Sequence, residues 1–424
     1  MKNSNKKIAI IGLGYVGLPL ALAFSKKFET IGFDINSKRI EELKGGIDKT
    51  NEIPNDELIK NKKINFTAEL DEIRSANIYI ITVPTPINKN DQPDLTAIKS
   101  ATESVGSILK KDDIVVYEST VYPGLTEEIC VPILESISGL SSNIDFFYGY
   151  SPERINPGDS THRLADIVKV TSGSNNYALD VIDNLYDSII TAGTHRASSV
   201  RVAEAAKVIE NIQRDVNIAL INELSIIFKK MGINTEEVLE ASGTKWNFHE
   251  YRPGLVGGHC IGVDPHYLSY KSKSIGIEPR MINAGREINE KMSLLVADEI
   301  MSLMNVSKID LETAKVLILG FSFKADCPDS RNTKVADLYE KLLKSVNQVD
   351  IYDPLNDSGE VMREYDIELK NYLKDRYYDC VIIAVGHDEF NKMGIDGIKK
   401  LCKKNHVLYD LSYNFNPKDV TGRL

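Results

Sequence analysis

Residues 8–11 form an unbroken apolar run, Ile8-Ala9-Ile10-Ile11, closed by Gly12. A short, wholly apolar run bounded by a turn residue is the pattern of a strand covered on both faces of a parallel sheet. Residues 18–24 follow as a helix and 30–33 as a second strand; apolar runs recur at 78–83, 114–117, 146–150 and 168–171, alternating with helical stretches. That alternation predicts a parallel, doubly wound sheet. Residues 201–231 carry apolar side chains at 202, 205, 209, 212, 216, 219/220, 224 and 227. They make one face of a helix about 45 Å long at ~1.5 Å per residue, with Gly232 as its stop. Glu204, Lys207, Asn211, Arg214 and Asn222 cluster on the opposite face. Glu204, Arg214 and Asn222 are expected to be solvated, whereas Lys207 and Asn211 are candidates for function. A helix of this length between two sheets is also a natural dimer surface. Strand patterns resume at 315–319, 349–352, 381–385 and 407–411. The expected fold is α/β, with two Rossmann-like, doubly wound parallel-sheet domains joined by a long central helix and a small helical middle domain. The domain limits are expected at 1–200, 201–312 and 313–424.

Length and composition narrow the class. At 424 residues the chain is too long for one core, and 42% hydrophobic with 26% charged residues is ordinary globular content. A net charge of -10 argues against a nucleic-acid binder or a binder of anionic membranes, while leaving room for a local phosphate pocket. Five cysteines without a CxxC pair suggest neither a disulfide framework nor a zinc ribbon. His249, His259, Cys260 and His266 match no usual zinc spacing, so no metal is expected. The N-terminal apolar run mimics a secretory signal, but Gly12, Gly14, Gly17 and Pro19 interrupt it. No window approaches the ~18 apolar residues of a membrane helix. A reducing cytoplasm is the expected compartment.

Candidate chemistry begins at Gly12-Leu13-Gly14-Tyr15-Val16-Gly17, set between the first strand and its helix. Such glycines permit a tight turn and close approach of a pyrophosphate to a helix N-terminus. Asp34 closes the second strand 17 residues past Gly17, near the spacing of a ribose-binding acid. A carboxylate there repels a 2'-phosphate, so NAD is expected rather than NADP. Arg39 faces either the adenine and phosphates or solvent. Ligands sit at the carboxyl ends of such strands, which here read Thr82-Val83-Pro84-Thr85-Pro86, Glu118-Ser119-Thr120 and Ser151-Pro152-Glu153-Arg154-Ile155-Asn156-Pro157-Gly158. Gly320-Phe321-Ser322-Phe323-Lys324 opens the second sheet without the GxGxxG pattern. It should therefore bind something other than a second dinucleotide, with Lys324 and Arg331 positioned to meet phosphates. Between the sheets, Pro253 to Pro265 places Cys260 among four glycines, beside His259 and four residues before Asp264. So little side-chain cover leaves a thiol open to a ligand. Cys130, Cys380 and Cys402 read as packing thiols.

Taken together, these motifs resemble the nucleotide-sugar 6-dehydrogenases, the family that includes UDP-glucose dehydrogenase. The resemblance runs nearly end to end: GLGYVGLPLA at the start, VPTP at 83–86, EST at 118–120, SPERINPG at 151–158, the Lys207/Asn211 helix, GGHCIGVDP at 257–265 and FKADCPDSRNTK at 323–334. It implies oxidation of a UDP-sugar at C6 from hydroxyl to carboxylate with two NAD. Cys260 would be the nucleophile, forming a thiohemiacetal and then a thioester. Lys207 and Asn211 would stabilise oxyanion-like species. Asp264 and Thr120 would handle protons and the hydrolytic water, with Glu153 on the substrate side. The cofactor would meet Gly12, Gly14, Tyr15, Val16, Gly17, Asp34, Arg39, Pro84, Thr85, Thr120 and Arg331. The substrate would meet Glu153, Arg154, Asn156, Lys207, Asn211, Tyr251, Arg252, Gly257 and Lys324. The UDP-glucose branch typically reads GGxCFxKD, whereas Ile261 and Val263 stand here. The resemblance therefore points to the UDP-N-acetylhexosamine branch, with UDP-N-acetylglucosamine or UDP-N-acetylgalactosamine as substrate for surface polysaccharide, in a homodimer or higher homo-oligomer. The rival readings are a UDP-glucose 6-dehydrogenase, a two-electron 3-hydroxyacid-type dehydrogenase and a non-catalytic nucleotide-sugar binder.

Overall fold

The computed structural model describes residues 6–50, 52–61, 63–155, 163–258 and 261–424. The chain forms two compact units, Met1–Glu210 with His266–Ile277, and Asn211–Pro265 with Glu278–Leu424. In the first unit the strands are β1 (Lys7–Ile11), β2 (Glu29–Phe33), β3 (Ile64–Thr67), β4 (Ile78–Ile81), β5 (Ile114–Tyr117) and β6 (Phe147–Tyr150). They pair in parallel in the order β3-β2-β1-β4-β5-β6. Both faces of β4 and β5 are buried, and so is β1 from Ile8 onward, which is why those strands are apolar throughout. The helices Gly17–Ser25 and Asn176–Asp187 pack Leu20, Phe24, Ile182 and Tyr186 against Ile8, Ile10, Ile80 and Val116.

The order reverses between β1 and β4, which opens a crevice at their carboxyl ends. Gly12 turns there with φ +95°, a conformation that disfavours a Cβ. A Cβ on Gly17 would come within 1.8 Å of the Gly12 carbonyl oxygen, so this helix starts flush against the turn only because residue 17 is glycine. At Gly14 a Cβ would meet nothing within 4 Å and would project into open space.

The run at 168–171 does not extend the sheet. β7 (Lys169–Thr171) and β8 (Thr194–Arg196) form a two-stranded sheet of their own. Serine hydroxyls replace the ladder between β6 and β7. Ser172 Oγ donates to the Tyr150 carbonyl at 2.7 Å and Ser151 Oγ to that of Val170 at 2.7 Å.

The second unit carries β9 (Lys315–Leu319), β10 (Gln348–Tyr352), β11 (Tyr378–Ile383), β12 (Cys402–Asp410) and β13 (Gly422–Arg423). They are parallel in the order β10-β9-β11-β12-β13. The helices Arg280–Val306 and Lys334–Leu343 supply Val296, Ile300, Leu338 and Leu342 to its core. The stretch ahead of this sheet is helical or irregular, as expected, with helices Thr235–Gly243, Asp264–Ser274 and Arg280–Val306. Among the described residues no helix is long and apolar enough to cross a membrane.

The long helix runs from Val200 to Lys230, and the division between units falls inside it, after Glu210. Its orientation corrects the sequence expectation. Glu204, Lys207, Asn211, Asp215 and Asn222 are buried, while Val202, Ile209, Leu220 and Ile227 are exposed. Glu204 and Asn222 are therefore not solvated; Arg214 is. Ile212 and Ala219 of the predicted stripe are buried beside these polar groups, so the inward face is mixed and lies rotated from the one that periodicity alone picks out.

The glycine turn yields a stability test. Gly17→Ala should lower the thermal midpoint by roughly 3–10 °C, the scale of an overpacked site, whereas Gly14→Ala should leave it within about 1 °C. Differential scanning calorimetry of both variants checks this, and equal shifts would contradict the packing described.

Candidate active site

The first unit's site is built on strand ends. The Asp34 carboxylate accepts from the backbone N–H of Leu13 at 2.9 Å and that of Asn36 at 2.9 Å. This ties the end of β2 to the glycine turn and leaves further lone pairs for hydroxyl donors. Arg39 is not a solvated residue. Its Nε donates to the Leu13 carbonyl at 3.0 Å and its Nη2 to Asp48 at 2.7 Å. Nη1 is buried without a hydrogen-bond partner among the described residues. An orphaned guanidinium donor, a half-buried carboxylate and open space over Gly14 fit the adenosine and pyrophosphate of a dinucleotide. Tyr15 and Val16 lead into the helix start, where Leu18 N–H donates to the Gly14 carbonyl at 3.2 Å.

Pro84 and Thr85 follow β4, and Tyr267 Oη donates to the Thr85 carbonyl at 2.9 Å. Thr120 lies half-buried beyond β5, after Ser119, whose hydroxyl donates to the Val83 carbonyl at 2.6 Å. Glu153 lies beyond β6, where its Oε1 accepts from the N–H groups of Arg154, at 2.7 Å, and Ile155. Arg154 pairs with Glu210 at 2.8 Å. Lys207 is buried on the same unit's stretch of the long helix. Asn156 lies outside the described residues.

Sequence reasoning missed Glu204. Its carboxylate accepts from the N–H of Gly124 at 2.5 Å and of Thr126 at 3.0 Å, where the π-helical turn Thr126–Cys130 begins. Burial lifts its pKa from 4.5 to about 7, against the lowering effect of those amide donors. The segment leading out of Thr120 is thus tied to the long helix.

In the second unit, Asn211 Nδ2 donates to Asp264 Oδ2 at 2.6 Å, joining two of the expected catalytic side chains. Cys260 and His259 lie outside the described residues. The glycines before them are placed by Asn332, to which the sequence reading assigned no role. Gly258 N–H donates to the Asn332 carbonyl at 3.1 Å, and Asn332 Nδ2 donates back to the Gly258 carbonyl at 3.1 Å. A Cβ on Gly257 would meet the Asn332 carbonyl oxygen at 2.5 Å, and Gly258 has φ +84°. Asn222 grips the loop upstream: its Oδ1 accepts from Gly254 N–H at 2.9 Å and its Nδ2 donates to the Gly254 carbonyl at 3.0 Å. Tyr251 is half-buried, and Arg252 pairs with Glu236 at 3.2 Å and lies over the Tyr413 ring at 5.7 Å.

A cavity of about 260 Å³ opens at the carboxyl ends of β9, β11 and β12, lined by Gly254, Gly257, Lys324, Thr333, Lys334 and Asn414, among others. Arg331 forks onto Asp329, with Nη2 at 2.6 Å from Oδ2. Asp353 ends β10, the position that Asp34 holds after β2, but its carboxylate is taken. It accepts from the N–H groups of Phe321 at 2.6 Å and Ser322 at 3.1 Å, and His387 Nε2 lies 3.0 Å away. Burial alone would raise its pKa; these donors overcome that and hold it well below the ordinary value. The strand-end carboxylate of this sheet is therefore occupied by protein groups, and its first turn lacks GxGxxG.

The first unit's sheet order, glycine turn and strand-end acid define a dinucleotide-binding domain of the dehydrogenase type. The chain belongs to the UDP-glucose/GDP-mannose dehydrogenase family. That family's NAD binding domain matches residues 6–190, its central domain 201–291 and its UDP binding domain 317–417. The chain is 56% identical to the UDP-N-acetyl-D-glucosamine 6-dehydrogenase of Pseudomonas aeruginosa, over 96% of each chain. It is 48% identical to Protein CapL of Staphylococcus aureus, over 99% of each. The solved UDP-D-ManNAc dehydrogenase of Pyrococcus horikoshii superposes with a TM-score of 0.88 at 29% identity, covering 97% of this chain and 96% of that one.

The Glu204 carboxyl carries a pH prediction. Its folded pKa lies above its unfolded one, so the folded state binds more protons between pH 4.5 and about 7. Its contribution to stability is full below the lower value and is lost as pH rises through the upper. Glu204→Gln should therefore show a shallower fall in urea midpoint from pH 5 to 8, as the order of the two values requires. The slope that remains reports groups such as Asp113, whose carboxyl burial lifts to about 6.

Proposed function

We propose that this protein oxidises C6 of UDP-N-acetylglucosamine or its C4 epimer UDP-N-acetylgalactosamine to the carboxylate, using NAD, for surface-polysaccharide synthesis in the cytoplasm. The observation that carries the reading is 56% identity, over 96% of both chains, to a UDP-N-acetyl-D-glucosamine 6-dehydrogenase. Residues 1–200 serve NAD, 201–312 the cysteine loop and self-association, and 313–424 the UDP moiety. NAD, held at the Gly12–Gly17 turn, Asp34 and Arg39, would supply the hydride acceptor for both oxidations of C6. The Cys260 thiolate adds to the aldehyde as a thiohemiacetal, and water opens the thioester that follows. A covalent adduct keeps the carbon in place between oxidations and avoids release of an aldehyde.

The Lys207 ammonium and the Asn211 amide stabilise negative charge on the sugar oxygen. Asp264, hydrogen-bonded to Asn211, exchanges protons there. Thr120 and Glu153 orient the hydrolytic water, with Arg154 and Asn156 as further substrate contacts. Pro84, Thr85 and Thr120 border the cofactor, together with the Gly12–Gly17 turn, Asp34 and Arg39. Lys324 meets the UDP-sugar in the second unit's cavity, where Gly257 leaves room at the wall. Tyr251 and Arg252 complete the substrate side, and Arg331 serves the cofactor phosphates.

We further propose a homodimer through the long helix. Val202, Ile209, Leu220 and Ile227 are 47%, 54%, 51% and 44% exposed. At about 100° per residue they fall in one line, an apolar stripe of the kind that marks an interface.

Steady-state NADH formation with UDP-N-acetylglucosamine, UDP-N-acetylgalactosamine, UDP-N-acetylmannosamine and UDP-glucose tests the substrate. The expected result is two NADH per sugar with a preference for the first or second, and loss of net turnover in Cys260→Ala with binding retained. A preference for UDP-glucose, or one NADH per sugar, refutes it. For the dimer, Ile209→Asp with Leu220→Asp should convert the species to monomer in sedimentation velocity.

A further inference from the structure

Behind Glu153, in the first unit, lies a buried cluster that the proposed chemistry does not use. Lys169, the first residue of β7, has a 3% exposed side chain, and its Nζ donates to Glu118 Oε2 at 2.7 Å. Tyr186 Oη donates to the other Glu118 oxygen. The same ammonium lies 5.2 Å from the centre of the Tyr186 ring and 3.8 Å from Glu153 Oε2. Three strand ends and one helix, at Glu118, Glu153, Lys169 and Tyr186, thus converge on one buried charge.

The two Glu153 oxygens differ. Oε1 is satisfied by the N–H groups of Arg154 and Ile155. Oε2 is buried and has no hydrogen-bond partner among the described residues. A separation of 3.8 Å from Lys169 is too long for a hydrogen bond but short enough for strong attraction in a low-dielectric setting. The ammonium therefore draws Oε2 into place without consuming its acceptor capacity. A buried carboxylate oxygen left without a donor is costly unless a donor arrives, and a sugar hydroxyl or a water supplies one. Lys169 in turn cannot wander: Glu118 and Tyr186 hold it from the far side. Burial raises the Glu118 pKa, and the charge on Lys169 opposes that rise.

We propose that Lys169 is a positioning residue for Glu153, braced by Glu118 and Tyr186, which presents Glu153 Oε2 as an acceptor for a hydroxyl of the sugar or the hydrolytic water. The inference rests on the reading of Glu153 as part of the site. It adds residues that touch neither substrate nor cofactor, and it assigns the isolated lysine of an otherwise uncharged strand, Lys169-Val170-Thr171, to the reaction.

A double-mutant cycle on the full chain tests it, with NAD and UDP-N-acetylglucosamine as substrates. Lys169→Met should lower kcat by about tenfold or more while KM for NAD stays within about twofold. In a Glu153→Gln background the same substitution should change kcat by less than about twofold, because the group it positions is gone. If Lys169→Met alone does not fold, Lys169→Met with Glu118→Gln removes both buried charges together and should show the same kcat loss. Full kcat in either lysine variant overturns the proposal, and so does an equal loss in both backgrounds. Full activity of Glu153→Gln by itself instead refutes the reading of Glu153, and the role of Lys169 falls with it.

Discussion

The constraint on which the rest depends is the burial of a polar helix face. Between Val200 and Lys230 the inward side chains include Glu204, Lys207, Asn211, Asp215 and Asn222. Buried polar groups cost several kcal/mol when left unpaired, so each of these demands a partner. The partners are mostly loop backbone and other buried polar groups. Glu204 takes the amides of Gly124 and Thr126, Asn211 pairs with Asp264, and Asn222 grips Gly254 on both sides. Asp215 accepts from Arg286 at 2.6 Å and from Asn289 at 2.8 Å, and Asn289 accepts from Asn222 at 2.8 Å. Within each unit, the helix stretch that satisfies itself in this way ties down the loops beside it, and those loops carry the candidate chemistry.

That inversion also explains how far the sequence could be read. The parallel sheets were legible because their central strands are short runs apolar on both faces, closed by turn residues and alternating with helical stretches. The glycine turn was legible because Gly17 leaves no alternative residue against the Gly12 carbonyl. The role of Glu204 was not legible. A helical period gives two faces, and the usual rule sends the apolar one inward; here Val202, Ile209, Leu220 and Ile227 of that stripe are exposed, Ile212 and Ala219 are buried, and the acid is buried with them. Lys169 did leave a signal, a single charge at the start of an uncharged strand, but its meaning depends on Glu118, 51 residues earlier in the chain. β7 was misplaced for a related reason. Its strand pattern is genuine, yet Ser151 and Ser172 carry the contact with β6 through hydroxyls, which no alternation rule anticipates.

The two sheets place a carboxylate at the same point of one topology and surround it differently. Asp34 and Asp353 both end the strand beside the first one of their sheet. Asp34 spends its hydrogen bonds on two amides and stays half-buried, whereas Asp353 is closed in by the amides of Phe321 and Ser322 and by His387. With that acid closed in, the open volume of the second sheet lies at the ends of β9, β11 and β12, where Lys324 and Lys334 line it. The family's NAD binding and UDP binding domains match the first and second of these sheets respectively.

The same cavity bears on the cysteine loop. Gly254 and Gly257 are part of its wall, and Asn332, which holds Gly258 from both directions, is followed at once by Thr333 and Lys334 on that wall. The loop's conformation and the cavity's shape are therefore one object, built from residues 254–258 and 332–334. Replacing either glycine would move the wall as well as the backbone, since a Cβ on Gly257 meets the Asn332 carbonyl and one on Gly258 meets the Phe323 ring at 2.7 Å. Lys324 thus shares a cavity wall with Gly254 and Gly257, on the backbone that leads to Cys260. Glycine is required at 257 and 258 by close contact with protein, and at 258 by its positive φ as well, which explains why the loop has so few side chains.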